Sequence, residues 1–140
     1  MILQKFCSIG IFALFSSLPL QGVGQAAGPS GEVASIGYRT ISTDNLAEKP
    51  REKDFKLINV HIPYEGEIEQ TDAFVPFDSI ANEIVEHVDD RAAPIVLYCM
   101  SGRMSEIAGE ALARAGYTNL SHVAGGMIDW KARGREILHR

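Results

Sequence analysis

Ile95-Val96-Leu97-Tyr98-Cys99-Met100-Ser101-Gly102-Arg103-Met104-Ser105 reads as the end of a strand, a short loop and the start of a helix. Ile95 to Tyr98 are apolar without alternation, which is the pattern of a strand buried on both faces of a parallel sheet. Cys99 falls at the carboxyl end of that strand. Met104, Ile107, Ala108, Ala111, Leu112 and Ala115 then recur at the spacing of an amphipathic helix, and Gly116 stands where a left-handed C-terminal cap belongs. The stretch predicts an α/β domain with a cysteine loop between one strand and one helix.

That placement has chemical content. The first N–H groups of a helix lack intrahelical partners, and the helix dipole adds partial positive charge there. A thiolate is stabilised in such a setting, and Arg103 adds a cation inside the loop. Two readings of Cys99 follow from spacing alone: a reactive nucleophile, or a small hydrophobe that closes a core strand. Phosphatases with a related loop need an arginine after Cys and five further residues, but Ser105 occupies that position. Arg103 comes too early for a phosphate cradle of that kind.

The octapeptide from Tyr98 to Ser105, followed by Ala115-Gly116-Tyr117, then Gly125-Gly126-Met127 and Trp130, resembles the single-domain rhodaneses. The resemblance covers residues 38–134. It implies an α/β fold with a central parallel sheet and helices on both faces. It also implies a sulfurtransferase in which catalytic Cys99 takes sulfane sulfur from a small-molecule donor, holds it as a persulfide, and passes it to a thiol or cyanide. Met100, Ser101, Gly102, Arg103 and Met104 would form the substrate and persulfide loop. Gly125, Gly126 and Trp130 would help to frame the pocket, and His61, by its own position at the carboxyl end of a strand, is a further candidate for the pocket mouth. Such chemistry needs no metal and no organic cofactor.

The chain departs from the family at three places. Asn59-Val60-His61 stands where many members carry Asp-Val-Arg, and Gly66 to Thr71 replaces a Gly-His-Ile-Pro-Gly-Ala segment. Met100 follows the cysteine directly, where many family loops have arginine, so Arg103 is the loop's one cation. Glu65, Glu67 and Glu69 would oppose an anionic donor if they lie near the pocket mouth. A calcium loop is not indicated, because the twelve-position ligand pattern is missing. His61 is a candidate for moving a proton, or else a hydrogen-bonded structural group.

Before the domain, Lys5 precedes an apolar run from Ile9 to Leu20, and small residues from Gly22 to Ala27 follow. This reads as a secretory signal over residues 1–27 with a flexible linker over 28–37, and the expected destination is periplasmic or secreted. The run is shorter than the roughly 20 residues of a membrane span. Cys7 would leave with the signal, so Cys99 would be the mature chain's single cysteine, without an internal disulfide. Net charge is −5 and becomes about −6 without Lys5, which argues against nucleic acid or an anionic membrane as partner.

The remaining elements are a strand over Tyr38–Ile41, a helix from the Ser42 to Asn45 caps to Glu48, and a strand over Phe55–Val60. A helix from Asp78 or Ser79 is expected to bury Ile80, Ile84, Val85 and Val88. Leu120 to Val123 reads as the last strand, and residues 135–140 as a tail that frays. A rival to the enzyme is a binding module that recruits a protein through its acidic face. A thiol redox partner is a third option, one that needs an intermolecular disulfide because no Cys-x-x-Cys pair exists.

Overall fold

In the computed structural model, which describes residues 37–140, five strands form one sheet. They are β1 (Arg39–Ile41), β2 (Lys56–Asn59), β3 (Ala73–Phe74), β4 (Ile95–Tyr98) and β5 (Leu120–Val123). Their order is β1-β5-β4-β2-β3, and every pairing is parallel. The expected signal segment and nearly all of the linker lie outside the described residues. Helices α1 (Thr43–Ala47), α2 (Ile80–Glu83) and α3 (Arg103–Arg114) lie in the crossovers after β1, β3 and β4, a 3₁₀ turn at Ile84–Glu86 follows α2, and α4 (Gly126–Ala132) follows β5.

The central position of β4 explains its uninterrupted apolar run. Ile95, Leu97 and Cys99 join a core with Ile80, Ile84, Ala108 and Leu112 on the α2 and α3 face. Val96 and Tyr98 join Leu46, Phe55, Leu57, Ile68 and Met127 on the α1 and α4 face. None of the five β4-segment residues is more than 3% exposed. Each fully buried aliphatic side chain contributes about 1.5–3 kcal/mol, so this strand anchors both layers and fixes where its carboxyl end lies.

Local chemistry sets the boundaries. Ser42 caps α1 in a reciprocal box with Asn45. Gly116, at φ +94°, ends α3, and the Tyr117 N–H reaches back to the Leu112 carbonyl at 3.1 Å. The inward face of α3 keeps Met104, Ala108, Ala111, Leu112 and Ala115 of the face that hydropathy suggested, but not Ile107. Ser105, Ala108, Gly109 and Leu112 are buried, whereas Ile107 is partly exposed. The rotation lets Gly109 lie against the Tyr38 ring, where a Cβ would come within 3.1 Å of ring carbons.

Two further expectations change, and one strand is additional. Val85 is 57% exposed, because the chain tightens into the 3₁₀ turn after α2 and turns that side chain outward. The strand β3 is only two residues long, too short for a periodic pattern; it lies on the sheet edge beside β2. The end of the chain does not fray. Glu67 and Leu138 exchange both backbone hydrogen bonds at 2.8 Å, Ile137 packs on the α1 and α4 core, and Arg135 pairs with Asp44 at 2.6 Å.

Candidate active site

The carboxyl end of β4 delivers Cys99 into a space already filled by backbone. Its side chain is buried, and the Gly102 N–H donates to Sγ at 3.0 Å. Gly102 is the N-cap of α3 at φ +104°, a conformation open mainly to glycine, and this turn swings its N–H back toward the sulfur. From the other side, α4 closes on the loop. The Met127 N–H donates to the Cys99 carbonyl at 2.9 Å and the Ile128 N–H to that of Met100 at 3.0 Å. Gly126 makes this approach possible: at φ +52°, a Cβ on it would sit 2.2 Å from the Cys99 carbonyl oxygen. Gly125, at φ +79°, forms the preceding turn beside Gly102.

Behind the sulfur lies a polar line that hydropathy hid. The Ser105 hydroxyl is 3.7 Å from Cys99 Sγ, 2.9 Å from the Gly102 carbonyl oxygen and 3.2 Å from His122 Nδ1. His122 Nε2 is 3.0 Å from Thr40 Oγ1 on β1. The Tyr38 ring meets the imidazole edge-on at 5.3 Å between centroids. Ser105 and His122 are both buried. Burial pushes the His122 pKa below its usual value of 6.5, while the negative charge of Glu106 and a hydrogen bond to Gly102 pull it back up. A serine on the apolar face of a helix and a histidine in a fully buried strand were the available signals.

The predicted site residues do not all converge. Ser101 is exposed, and Met104 packs on the core that contains Cys99. Met100 and Trp130 pack on the opposite core. Trp130 Nε1 donates to the Glu136 carbonyl at 3.0 Å, and Arg135 lies over its ring at 4.9 Å. The Arg103 side chain is 75% exposed and pairs with Glu106 at 3.2 Å. His61 is buried at the end of β2, with Nε2 2.5 Å from Glu65 and Nδ1 without a partner.

The acidic loop is dispersed rather than gathered. Glu65 faces His61, Glu67 faces Arg140 at 2.8 Å, and Glu69 lies 4.0 Å from Arg51. Asn59 organises this loop, with its amide donating to the Gly66 carbonyl and its oxygen accepting the His61 N–H, both at 3.0 Å. Among the described residues, no three His, Cys, Asp or Glu side chains are grouped to hold a metal ion.

A family model described as a Rhodanese-like domain matches residues 46–133. Among curated proteins, a tRNA uridine(34) hydroxylase of Sodalis glossinidius (strain morsitans) is 29% identical over 116 residues, covering 77% of this chain and 32% of that protein. One from Yersinia pestis is 26% identical over 113 residues, covering 76% and 32%. The chain thus spans about a third of the length of the curated relatives it matches. Among solved structures, a rhodanese-related protein from Thermoplasma volcanium aligns with a TM-score of 0.60 at 24% identity, covering 72% of this chain and 98% of that one. A rhodanese-like domain from Anabaena sp. aligns with a TM-score of 0.56 at 22% identity, covering 64% and 68%. Both likenesses are of fold.

Proposed function

The chain belongs to the rhodanese-like domain family, and on that premise we propose that it is an exported sulfurtransferase carrying sulfane sulfur on Cys99. The observation that supports this reading best is the Gly102 N–H directed at Sγ at 3.0 Å, in front of the first turn of α3. A donor N–H and an oriented helix end are placed to hold a sulfur anion, and the thiolate is the attacking species in sulfur transfer.

The cycle has two displacements. The Cys99 thiolate attacks the outer sulfur of a sulfane donor, a new S–S bond forms, and the rest of the donor leaves with the electron pair of the broken bond. A thiolate or cyanide acceptor then attacks the outer persulfide sulfur, and the Cys99 thiolate leaves. Arg103, at the rim, is the cation available to anionic donor oxygens when Glu106 releases it. No metal or organic cofactor enters either step. The apolar run from Ile9 to Leu20 and the small residues after it supply the reason for export to a periplasmic or secreted setting.

The name of the curated relatives belongs to proteins of which this chain covers 32%, and a net charge of −5 provides no cationic footprint for tRNA. Hydroxylation of that substrate is not part of the reading. A second reading, a non-catalytic module that recruits a protein partner through its own acidic face, is favoured by one observation: Cys99 is only 1% exposed.

Steady-state assays separate the two. Thiocyanate formation from cyanide with thiosulfate, 3-mercaptopyruvate or a polysulfide, lost in Cys99→Ala, is the expected result and identifies the donor class. Equal rates for wild type and Cys99→Ala with every donor would leave the binding module as the reading.

A further inference from the structure

His122 reaches Cys99 through one shared hydroxyl group, and we infer that it is a positioning residue that governs the protonation of the thiol through Ser105. The sulfurtransferase reading enters only in taking Cys99 as the nucleophile.

Ser105 has one hydroxyl proton and three neighbours that compete for it. They are the Gly102 carbonyl oxygen at 2.9 Å, His122 Nδ1 at 3.2 Å and Cys99 Sγ at 3.7 Å. The imidazole tautomer decides the contest. With the proton on Nδ1, His122 donates to Ser105, and Thr40 donates to Nε2. The Ser105 hydroxyl then turns to Gly102. With the proton on Nε2, His122 donates to Thr40 Oγ1, and Nδ1 accepts from Ser105. The Ser105 oxygen is then free to accept the Cys99 S–H.

The second arrangement is a continuous donor line from sulfur to imidazole. Ionisation along it balances without a co-reactant: the S–H bond breaks, its proton passes to Ser105 Oγ, and the original hydroxyl proton passes to Nδ1. The products are a thiolate, which accepts the Ser105 O–H, and an imidazolium. The imidazolium's Nδ1–H faces Ser105 and the Gly102 carbonyl, and its Nε2–H faces Thr40. Every hydrogen of the charged pair has an acceptor in place.

The surroundings suit an acceptor of this kind. On β1, Tyr38 presents its ring to the imidazole and Thr40 its hydroxyl. From α3 come Ser105 and the negative charge of Glu106, which favours the imidazolium. Leu97 is the β4 register partner of His122 and is apolar. Arg103, the nearby cation on α3, is paired with Glu106 and largely exposed, so solvent screens it. Burial keeps the resting imidazole neutral at neutral pH, and therefore able to take a proton.

The test is the rate of Cys99 alkylation by iodoacetamide as a function of pH, with thermal melts alongside. The proteins are wild type, His122→Asn, Ser105→Ala and the double variant. His122→Asn keeps a hydrogen-bonding side chain but cannot take the proton. We expect each single variant to alkylate roughly tenfold more slowly at pH 7, with the inflection of the rate curve moved by about one unit to higher pH. The double variant should be no slower than either single one, because both cut one line. Should His122→Asn fail to fold, Ser105→Ala and Thr40→Val interrupt the same line elsewhere.

Variants that lower the melting temperature while leaving the inflection unmoved would assign His122 a structural role and overturn the inference. Sulfur uptake by the wild type is scored separately. Uptake with an unmoved inflection removes the His122 role and keeps the sulfur chemistry. An inflection that moves in a protein that accepts no sulfur keeps the His122 role and removes the sulfur chemistry.

Discussion

Tyr98 and Cys99 are consecutive residues at one strand end, yet they enter opposite faces of the sheet and meet two differently wired polar networks. On the α1 and α4 face the circuit is closed. The Ile68 N–H donates to the Tyr98 hydroxyl at 3.0 Å, Tyr98 and Thr71 hydroxyls meet at 2.7 Å, and Thr71 donates to the Ile68 carbonyl at 2.6 Å. One orientation satisfies every group. Burial pushes the Tyr98 phenol far above its ordinary range, so it stays protonated and simply fastens the loop after β2. On the Cys99 face one hydroxyl proton is shared among three neighbours. Buried polarity alone is therefore no mark of function; what separates the two faces is that Ser105 Oγ has three polar neighbours for its one proton.

Breaking the close approach of α4 to the Cys99 loop should have the largest effect. Gly126→Ala places a Cβ against the Cys99 and Met100 carbonyl groups at positive φ. Backbone strain and overpacking each cost roughly 1–3 kcal/mol, so the variant should melt well below wild type and transfer sulfur poorly. A variant with wild-type melting temperature would show that the loop yields freely, against the geometry described.

Tyr98→Phe sharpens the contrast. Removing the hydroxyl leaves the buried Ile68 N–H without its partner, a loss of about 1–3 kcal/mol in chemical denaturation. Because the closed circuit only fastens a loop, the Cys99 alkylation profile should not change. A Tyr98→Phe protein with a displaced profile would mean that the two faces communicate through the strand.

The smallest effect is in the pH dependence of stability. The His122 pKa is lowered in the folded state, so above its unfolded value near 6.5 both states are neutral and no pH dependence arises. Below that value the unfolded chain takes the proton first, and stability falls with pH until the folded value is passed. The slope from this one group cannot exceed about 1.4 kcal/mol per pH unit. Between wild type and His122→Asn, the stability difference should narrow in favour of the variant as pH drops from about 6.5 toward 5. A difference that stays constant with pH would contradict the lowered value.

Much of this arrangement was legible in the chain. Four consecutive apolar residues ending in Cys99 announced a doubly buried strand, and Gly116 and Gly125-Gly126 marked turns that the backbone does take at positive φ. The helix after Cys99 was also legible, and its rotation in part. Apolar spacing rightly turned Met104, Ala108 and Leu112 inward but took Ile107 with them, whereas the fit to Tyr38 brings in Gly109 and, with it, Ser105. Hydropathy assigns serine no preference for a core, so the group behind the sulfur stayed hidden, and His122 with it. The tail was misread for a related reason. Its charges suggested solvent, but Arg135 and Arg140 find carboxylates on Asp44 and Glu67, and the backbone pairs with Glu67.

That sulfur travels on the Cys99 Sγ is tested by intact mass of the protein after exposure to thiosulfate, 3-mercaptopyruvate or a polysulfide. The account predicts a gain of one sulfur atom that is removed by reductant and is absent in Cys99→Ala. No gain with any donor, in a folded protein whose Cys99 also resists alkylation at neutral pH, would contradict it.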